Sequence, residues 1–258
     1  MLSPTLLIST AALYWSLRHL LQCFLQIPAV RLRLSEADVA DVSTKVLSGL
    51  HASLASGAGL YIMWETMDDC IFSRSAAIAP FTYVGVSYMS CDVLAMYLTY
   101  CKTRRLSFTN TQSVSLFLKS RPLLVFHHLF LIFGYPLLVY DGLRKGMGDF
   151  LIGTLFLREL SSPLLSAAKI MRKIKMEGSV LYQVNGVALV LLFFLVRIAS
   201  TPLTLLFYSS QHHDWSLVQA LSAMRPICHL MLSAELTLQL YWFSQILSTA
   251  SRRKTKPS

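Results

Sequence analysis

Two adjacent histidines, His127 and His128, interrupt the otherwise apolar stretch VFHHLFLIF. A polar ring in a hydrophobic core or a bilayer costs free energy unless it has a hydrogen-bond partner or a chemical task. Three roles are open to such a pair: catalysis, a structural hydrogen bond, or ligation of a metal or haem. Successive residues of a helix point about 100° apart, so we expect one ring to face a cavity and the other to face a neighbouring helix.

Metal ligation fits these histidines least well. A membrane di-iron oxidase needs many histidines in HxxH and HxxHH boxes, whereas this chain has seven histidines in all. The five cysteines form no CxxC pair and leave one cysteine over, which indicates neither a zinc site nor a disulfide framework. We therefore expect no metal centre.

Six further ionisable side chains lie within apolar stretches, where each is a candidate functional residue. They are His51, Asp92, Glu159, Arg197, His229 and Glu235. Such residues normally face the interior of a helix bundle, which predicts one polar cavity shared by several helices. Asp92 precedes the histidine helix by one predicted span and can approach the histidines from a neighbouring helix. There, its carboxylate would fix the tautomer of an imidazole.

A proline follows Glu159 in the segment RELSSPLL. Pro163 has no N–H to donate to the carbonyl of Glu159, four residues earlier. The sequence therefore predicts a kink beside Glu159, a free backbone acceptor there, and Ser162 on the same helix face.

Composition places these residues in a membrane. Hydrophobic residues make up 54% of the 258 residues, charged residues 14%, and the mean hydropathy is +0.54, whereas soluble domains carry about 25% charged residues. Long apolar windows, each near the ~20 residues of a spanning helix, occur at 2–25, 43–64, 78–101, 122–140, 149–170, 183–208 and 217–247. This pattern predicts an all-α, polytopic membrane protein with about seven transmembrane helices. Gly49, Ser53 and Gly57 predict close helix packing in the second of them.

The basic residues predict an orientation, since Lys and Arg are retained on the cytoplasmic side. Alternate loops place 17 of the 23 on one side and three on the other, namely Arg74, Arg144 and Lys145. This asymmetry predicts a luminal N-terminus and a cytosolic C-terminus. The first window has no preceding basic residue and no cleavage site, so we expect a retained anchor. The net charge of +10 is spread over short juxtamembrane loops, which argues against a nucleic-acid partner.

Several motifs resemble one known family. ADVSTKVLSGLHA, FHHLFLIF, GDF, RELSSP, QVNG and LYWF, in this order and spacing, look like the TLC domain family, which includes the ceramide synthases. The match is most similar to the third TLC-domain-containing subgroup, a ceramide-synthase-like branch. The resemblance covers residues 35–247, and it implies a barrel of six helices around a central cavity. Residues 1–34 would then form an additional N-terminal transmembrane helix, and residues 248–258 a basic cytosolic tail.

The resemblance also implies a reaction and a location. Ceramide synthases of the endoplasmic reticulum join a fatty acyl-CoA to a sphingoid base, and their paired histidines match His127 and His128. One imidazole would take a proton from the attacking amine, or would form a transient acyl-imidazole. Acyl-CoA would be a substrate and no cofactor is expected. The membrane would be that of the endoplasmic reticulum, with the Golgi or plasma membrane as alternatives.

Specific residues follow from this interpretation. The expected catalytic residues are His127, His128, Asp92 and Glu159. The expected substrate-binding residues are His51, Ser162, Arg197, His229, Glu235, Lys102, Arg104 and Arg105. The last three lie on the predicted cytosolic side, where the phosphates of CoA would bind. The partners would be membrane lipids, fatty acyl-CoA and a sphingoid base, and a homo- or hetero-oligomer is left open.

One helix departs from the ceramide synthase pattern. Those enzymes carry a histidine–aspartate pair and a further aspartate on the helix after the histidines, whereas this chain carries Glu159, Ser161 and Ser162. A non-catalytic protein that binds or senses lipids and regulates membrane lipid composition is therefore the alternative. A seven-span receptor or transporter is disfavoured, because the loops contain no recognisable recognition or coupling element.

Overall fold

The computed structural model describes residues 4–139, 147–211, 216–223 and 226–254, and these residues form helices and no strand. The helices are α1 (Pro4–Leu32), α2 (Glu36–Glu65), α3 (Ile78–Arg104), α4 (Thr111–Ser120), α5 (Pro122–Val139), α6 (Asp149–Leu157), α7 (Ser162–Lys173), α8 (Val180–Phe193), α9 (Ser200–Gln211), α10 (Leu217–Ala223) and α11 (Pro226–Lys254). Arg144, Lys145 and residues 255–258 of the predicted tail lie outside the described residues.

Three helical segments in the described part of the chain are long and apolar enough to cross a membrane: Glu36–Glu65, Asp149–Lys173 and Val180–Gln211. A fourth is added if Thr111–Ser120 and Pro122–Leu137, which meet at 98°, count as one broken span. The prediction of an all-α membrane protein is therefore confirmed. The count of seven spans stays a prediction, although α1, α3 and α11 are also long, at 29, 27 and 29 residues.

Two of the apolar spans contain a change of helix type. A 3₁₀ turn, Arg158–Ser161, joins α6 to α7 at the predicted kink. The carbonyl of Glu159 accepts the N–H of Ser162, so the predicted free acceptor there is wrong. Tightening to i→i+3 pairing satisfies the carbonyl that Pro163 cannot. A π-helical turn, Phe194–Ala199, joins α8 to α9 and contains Arg197.

The chain forms two compact units. The first comprises the described residues of Met1–His51, Ala79–Val139 and Ser166–Glu177. In it, Met96, Phe117 and Val125 form a buried cluster of α3, α4 and α5. The second comprises the described residues of Ala52–Ile78, Tyr140–Leu165 and Gly178–Ser258. The units divide the ionisable residues into two sets, which are described separately below.

In the second unit, α2 and α6 approach each other closely at a pair of glycines. A Cβ added at Gly59 would lie 2.6 Å from the carbonyl oxygen of Gly153 and 2.6 Å from the amide nitrogen of Leu157. A Cβ at Gly57 would meet nothing within 4 Å. The close packing predicted at Gly57 is therefore found at Gly59, half a turn further along the helix.

We predict that Gly59→Ala destabilises the protein, because backbone atoms cannot move aside as a flexible side chain can. Overpacking of this kind costs about 1–3 kcal/mol, so the thermal unfolding midpoint of the purified protein in detergent should fall. Gly57→Ala is the matched control and should unfold at the wild-type temperature. Equal midpoints for the two variants would contradict the predicted close approach.

Candidate functional site

The first unit holds a buried imidazole–carboxylate contact. Nε2 of His128 lies 3.1 Å from Oδ2 of Asp92, and its Nδ1 lies 2.8 Å from the carbonyl oxygen of Leu124. The expected approach of Asp92 to the histidine helix is thus seen. A carbonyl oxygen and an ionised carboxylate only accept hydrogen bonds. Nδ1 of His128 therefore donates to the carbonyl of Leu124, and its Nε2 faces the Asp92 carboxylate.

Asp92 has a second donor on its other oxygen. The hydroxyl of Tyr14, in α1, donates to Oδ1 of Asp92 across 3.4 Å. The tyrosine ring packs edge-on against Trp15 and Tyr88, at centroid distances of 5.4 and 5.8 Å. Sequence reasoning missed Tyr14, since a tyrosine in an apolar helix does not stand out by its type.

Two other histidines of this unit, His127 and His51, lie in different surroundings. His127 is buried beside His128, with its ring at 88° to that of His128 and the centroids 5.8 Å apart. The two rings thus point in different directions, as helical geometry predicted. His51 stacks on Tyr88 at 3.7 Å and lies parallel to Phe81 at 6.0 Å.

The second unit holds a buried network centred on Arg197. Its Nε donates to Oγ of Ser161 at 2.8 Å, and its Nη1 donates to Oε1 of Gln239 at 3.0 Å. Its Nη2 donates to Oγ of Ser162 at 2.7 Å and to Oε2 of Glu159 at 3.4 Å. Ser162 in turn donates to Glu159 at 2.6 Å. Glu159, expected to be catalytic, is thus the counter-ion of Arg197.

Arg158 extends this network with a second pair of opposite charges. Its Nη2 donates to Oγ1 of Thr201 at 2.5 Å, and its Nη1 lies 4.0 Å from Oε1 of Glu235. Glu235 also accepts a hydrogen bond from the amide of Gln239. Two arginines and two glutamates therefore balance in charge, which is the condition for stable burial of ions. Sequence reasoning proposed Arg197, Glu159, Ser162 and Glu235 as site residues, but did not propose Arg158 or Gln239.

A polar cavity of about 320 Å³ lies in the first unit. Its lining residues come from α2, α3, the junction of α4 with α5, and α7: Asp41, Thr44, Lys45, Met96, Thr99, Tyr100, Thr103, Arg104, Ser120, Arg121 and Lys173. Four cations face one carboxylate, so the cavity is electropositive. Met96 is four residues, or about 6 Å along a helix, from Asp92.

The cations of this cavity differ in their pairing. Lys173 bonds to Asp38 at 2.8 Å and lies 3.5 Å from Asp41. Within the described part of the chain, no ion pair is formed by Lys45, Arg104 or Arg121. Since the lining holds four cations and one carboxylate, and none of these three cations forms an ion pair with a described residue, the cavity is suited to an anionic ligand.

Of the other predicted binding residues, three lie away from these sites. Lys102 pairs with Glu36 at 2.9 Å in an exposed position, and Arg105 follows the end of α3 with a positive φ of 55°. Neither lines the cavity. His229 lies in α11 and, among the described contacts, takes part in neither the His128–Asp92 contact nor the Arg197 network.

No group of three or more His, Cys, Asp or Glu residues that could hold a metal occurs among the described residues. Cys70, between α2 and α3, is fully buried, and this burial, assisted by the charge of Asp69, raises the pKa of its thiol to about 12. A thiol with so high a pKa is not a nucleophile at neutral pH.

We predict that Arg197→Met destabilises the protein, because it removes the buried guanidinium that pairs with the half-buried carboxylate of Glu159. Because Glu159 is only half-buried, the cost should lie below the ~3–5 kcal/mol for breaking a fully buried ion pair, and it should be seen as a lower thermal unfolding midpoint in detergent. Combining Glu159→Gln with Arg197→Met should recover part of the loss. The control is Arg172→Met on an exposed arginine of α7. An equal midpoint for Arg172→Met and Arg197→Met would show that the network does not stabilise the fold.

Comparison with known protein families identifies the family of this chain. The family model of the TLC domain matches residues 41–248, about four-fifths of the chain. The matched segment includes the His128–Asp92 contact and the Arg197 network, whereas Tyr14 precedes it. The chain therefore belongs to the TLC domain family.

Proposed function

We propose that this TLC domain protein is a ceramide-synthase-like N-acyltransferase, which joins the acyl group of a fatty acyl-CoA to a sphingoid base in the endoplasmic reticulum membrane. The observation that carries this proposal is the buried contact of His128 with Asp92, beside His127 and one helical turn from an electropositive cavity. Membership of the family supports it.

The reaction needs a base for the amine and a site for the charge that develops. The amine nitrogen attacks the thioester carbonyl, and a base removes its proton. The tetrahedral intermediate then collapses, the C–S bond breaks, and the CoA thiolate takes up a proton. Because both nitrogens of His128 are held by acceptors, we assign the proton acceptor to His127. His128, held by Asp92, positions the helix face that carries His127.

The cavity provides the proposed binding site for CoA. The phosphates of CoA carry several negative charges, which Lys45, Arg104 and Arg121 would bind without breaking an existing ion pair. The acyl chain would then extend along the helices toward the histidines. This arrangement is consistent with the proposed orientation, in which the basic ends of α3 and α7 lie at the cytosolic side and the N-terminus is luminal. The seven-span, six-helix barrel and the membership of the third subgroup belong to the same proposal.

One observation favours the alternative of a lipid-binding protein without catalysis. At the position of the second ceramide synthase motif, Glu159 and Ser162 are both bonded to Arg197. A carboxylate held in this way stabilises the fold and is poorly placed to transfer protons. The same cavity would then bind an anionic lipid headgroup that regulates membrane composition.

The two functions are separated by an activity measurement. The purified protein in lipid nanodiscs, given acyl-CoA and a sphingoid base, should form ceramide and release free CoA. His127→Ala should reduce the rate by a factor of about 10² or more, the usual contribution of a general base, and His128→Ala should also reduce it. The control is His19→Ala, on an exposed histidine of α1. Absence of ceramide with the wild type, or wild-type rates in both histidine variants, would favour the lipid-binding alternative.

The cavity is tested by its effect on substrate affinity. We expect Lys45→Gln and Arg121→Gln each to raise the KM for acyl-CoA by a factor of about 5–10, without changing the KM for the sphingoid base. Raised salt should weaken acyl-CoA binding to the wild type more than to either variant. Arg172→Gln serves as the control, because Arg172 is exposed and does not line the cavity. An unchanged KM for acyl-CoA in both cavity variants would place the CoA site elsewhere.

A further inference from the structure

The first helix, α1, carries polar side chains that a membrane anchor does not require. An anchor needs only an apolar surface, yet α1 carries a tyrosine and an arginine one turn apart, Tyr14 and Arg18. Of the 29 residues of α1, Tyr14 and Ala29 are the buried ones, and Tyr14 is 5% exposed. A buried hydroxyl needs a hydrogen-bond partner, and that of Tyr14 is the carboxylate of the proposed catalytic centre.

Tyr14 and His128 hold opposite oxygens of the same carboxylate. Tyr14 donates to Oδ1 of Asp92 and His128 contacts Oδ2, so rotation of the carboxylate would break one of the two contacts. The ring of Tyr14 is itself fixed against Trp15 and Tyr88. The position of the imidazole therefore depends on a residue of α1.

Arg18 connects α1 to the wall of the cavity. Its Nε donates to Oγ1 of Thr44 and its Nη2 donates to Oγ1 of Thr99, each across 3.4 Å. Both threonines line the cavity, one from α2 and the other from α3. The guanidinium also lies 5.4 Å from the ring of Trp15, which fixes it further. Arg18 thus bonds to α2 and α3, the two helices that carry these threonines, and adds a positive charge next to the cavity wall.

Further contacts place this face of α1 against α3. The hydroxyl of Ser87 donates to the carbonyl of Leu7 at 2.8 Å, one helical repeat before Tyr14. Leu7, Tyr14 and Arg18 follow one another at intervals of seven and four residues, so they share a face of the helix. This face precedes the matched TLC domain, which begins at residue 41.

We propose that α1 is part of the functional site, where Tyr14 positions the Asp92–His128 pair and Arg18 positions the Thr44–Thr99 wall of the acyl-CoA cavity. This inference rests on the proposed acyltransferase function. Neither residue exchanges a proton or touches the reacting atoms. Tyr14 acts on the chemical step through Asp92, whereas Arg18 acts on binding of the acyl donor.

The two roles predict different kinetic changes. Tyr14→Phe keeps the packed ring and removes the hydroxyl, so kcat should fall about 10-fold with an unchanged KM for acyl-CoA. Arg18→Gln should raise the KM for acyl-CoA about 5-fold with a smaller effect on kcat. Ser9→Ala is the matched control, since it removes an exposed hydroxyl from the same helix. Wild-type kinetics in both Tyr14→Phe and Arg18→Gln would overturn the proposal.

A second measurement needs no activity and tests the contact directly. Tyr14→Phe, Asp92→Asn and the double variant form a double-mutant cycle, read as thermal unfolding midpoints of the full-length protein in detergent. We expect the double variant to lose less than the sum of the two single losses. Additive losses would overturn the contact, and non-additive losses with a wild-type kcat in Tyr14→Phe would overturn the positioning role.

The cycle also separates this proposal from the function on which it rests. If the wild type forms no ceramide, the proposed function fails, and with it the kinetic role of α1. Whether Tyr14 of α1 contacts Asp92 is then tested by the double-mutant cycle alone. An active wild type with unchanged Tyr14→Phe and Arg18→Gln variants refutes only the role of α1.

Discussion

The contact between the Asp92 carboxylate and the His128 imidazole determines how the first unit is arranged. A carboxylate without a partner in an apolar helix bundle costs several kcal/mol, so neighbouring helices must supply donors to it. α5 supplies His128 and α1 supplies Tyr14, one to each oxygen. The chemistry proposed for His127 depends on this arrangement, because it fixes the helix on which His127 lies.

The requirement that a buried charge has a partner is met in a different way in the second unit. There, two arginines and two glutamates pair within a network that also engages Ser161, Ser162, Thr201 and Gln239. Irregular turns occur at both arginines, a 3₁₀ turn at Arg158 and a π-helical turn at Arg197. Such turns redirect side chains within a helix, and here they accompany a charge-balanced cluster. We attribute a structural role to this cluster and reserve the proposed catalysis for the histidines.

The sequence was a good guide where a residue type alone implies a physical constraint. Ionisable groups in apolar stretches predicted buried polar side chains, although the expectation was one shared cavity, and the order of the spans predicted the approach of Asp92 to the histidine helix. Tyr14 and Arg18 were missed because aromatic residues and juxtamembrane arginines are common in membrane helices, so only three-dimensional contacts distinguish them. Arg158 lay within an apolar window but was not singled out, and Gln239, which bonds to Arg197 and Glu235, is uncharged and carried no signature. The sequence predicted the close packing at Gly57 instead of Gly59. The rotation of two packed helices depends on both of them, so it cannot be read from the sequence of one.

The central claim is that the buried imidazole–carboxylate pair serves acyl transfer from CoA. It is tested most directly by supplying isotopically labelled acyl-CoA and a sphingoid base to purified wild type and Asp92→Asn in lipid nanodiscs, and quantifying labelled ceramide by mass spectrometry. We expect labelled ceramide from the wild type, and a rate lower by a factor of about 10² in Asp92→Asn. No labelled ceramide from a folded wild type, or equal amounts from both proteins, would contradict the claim.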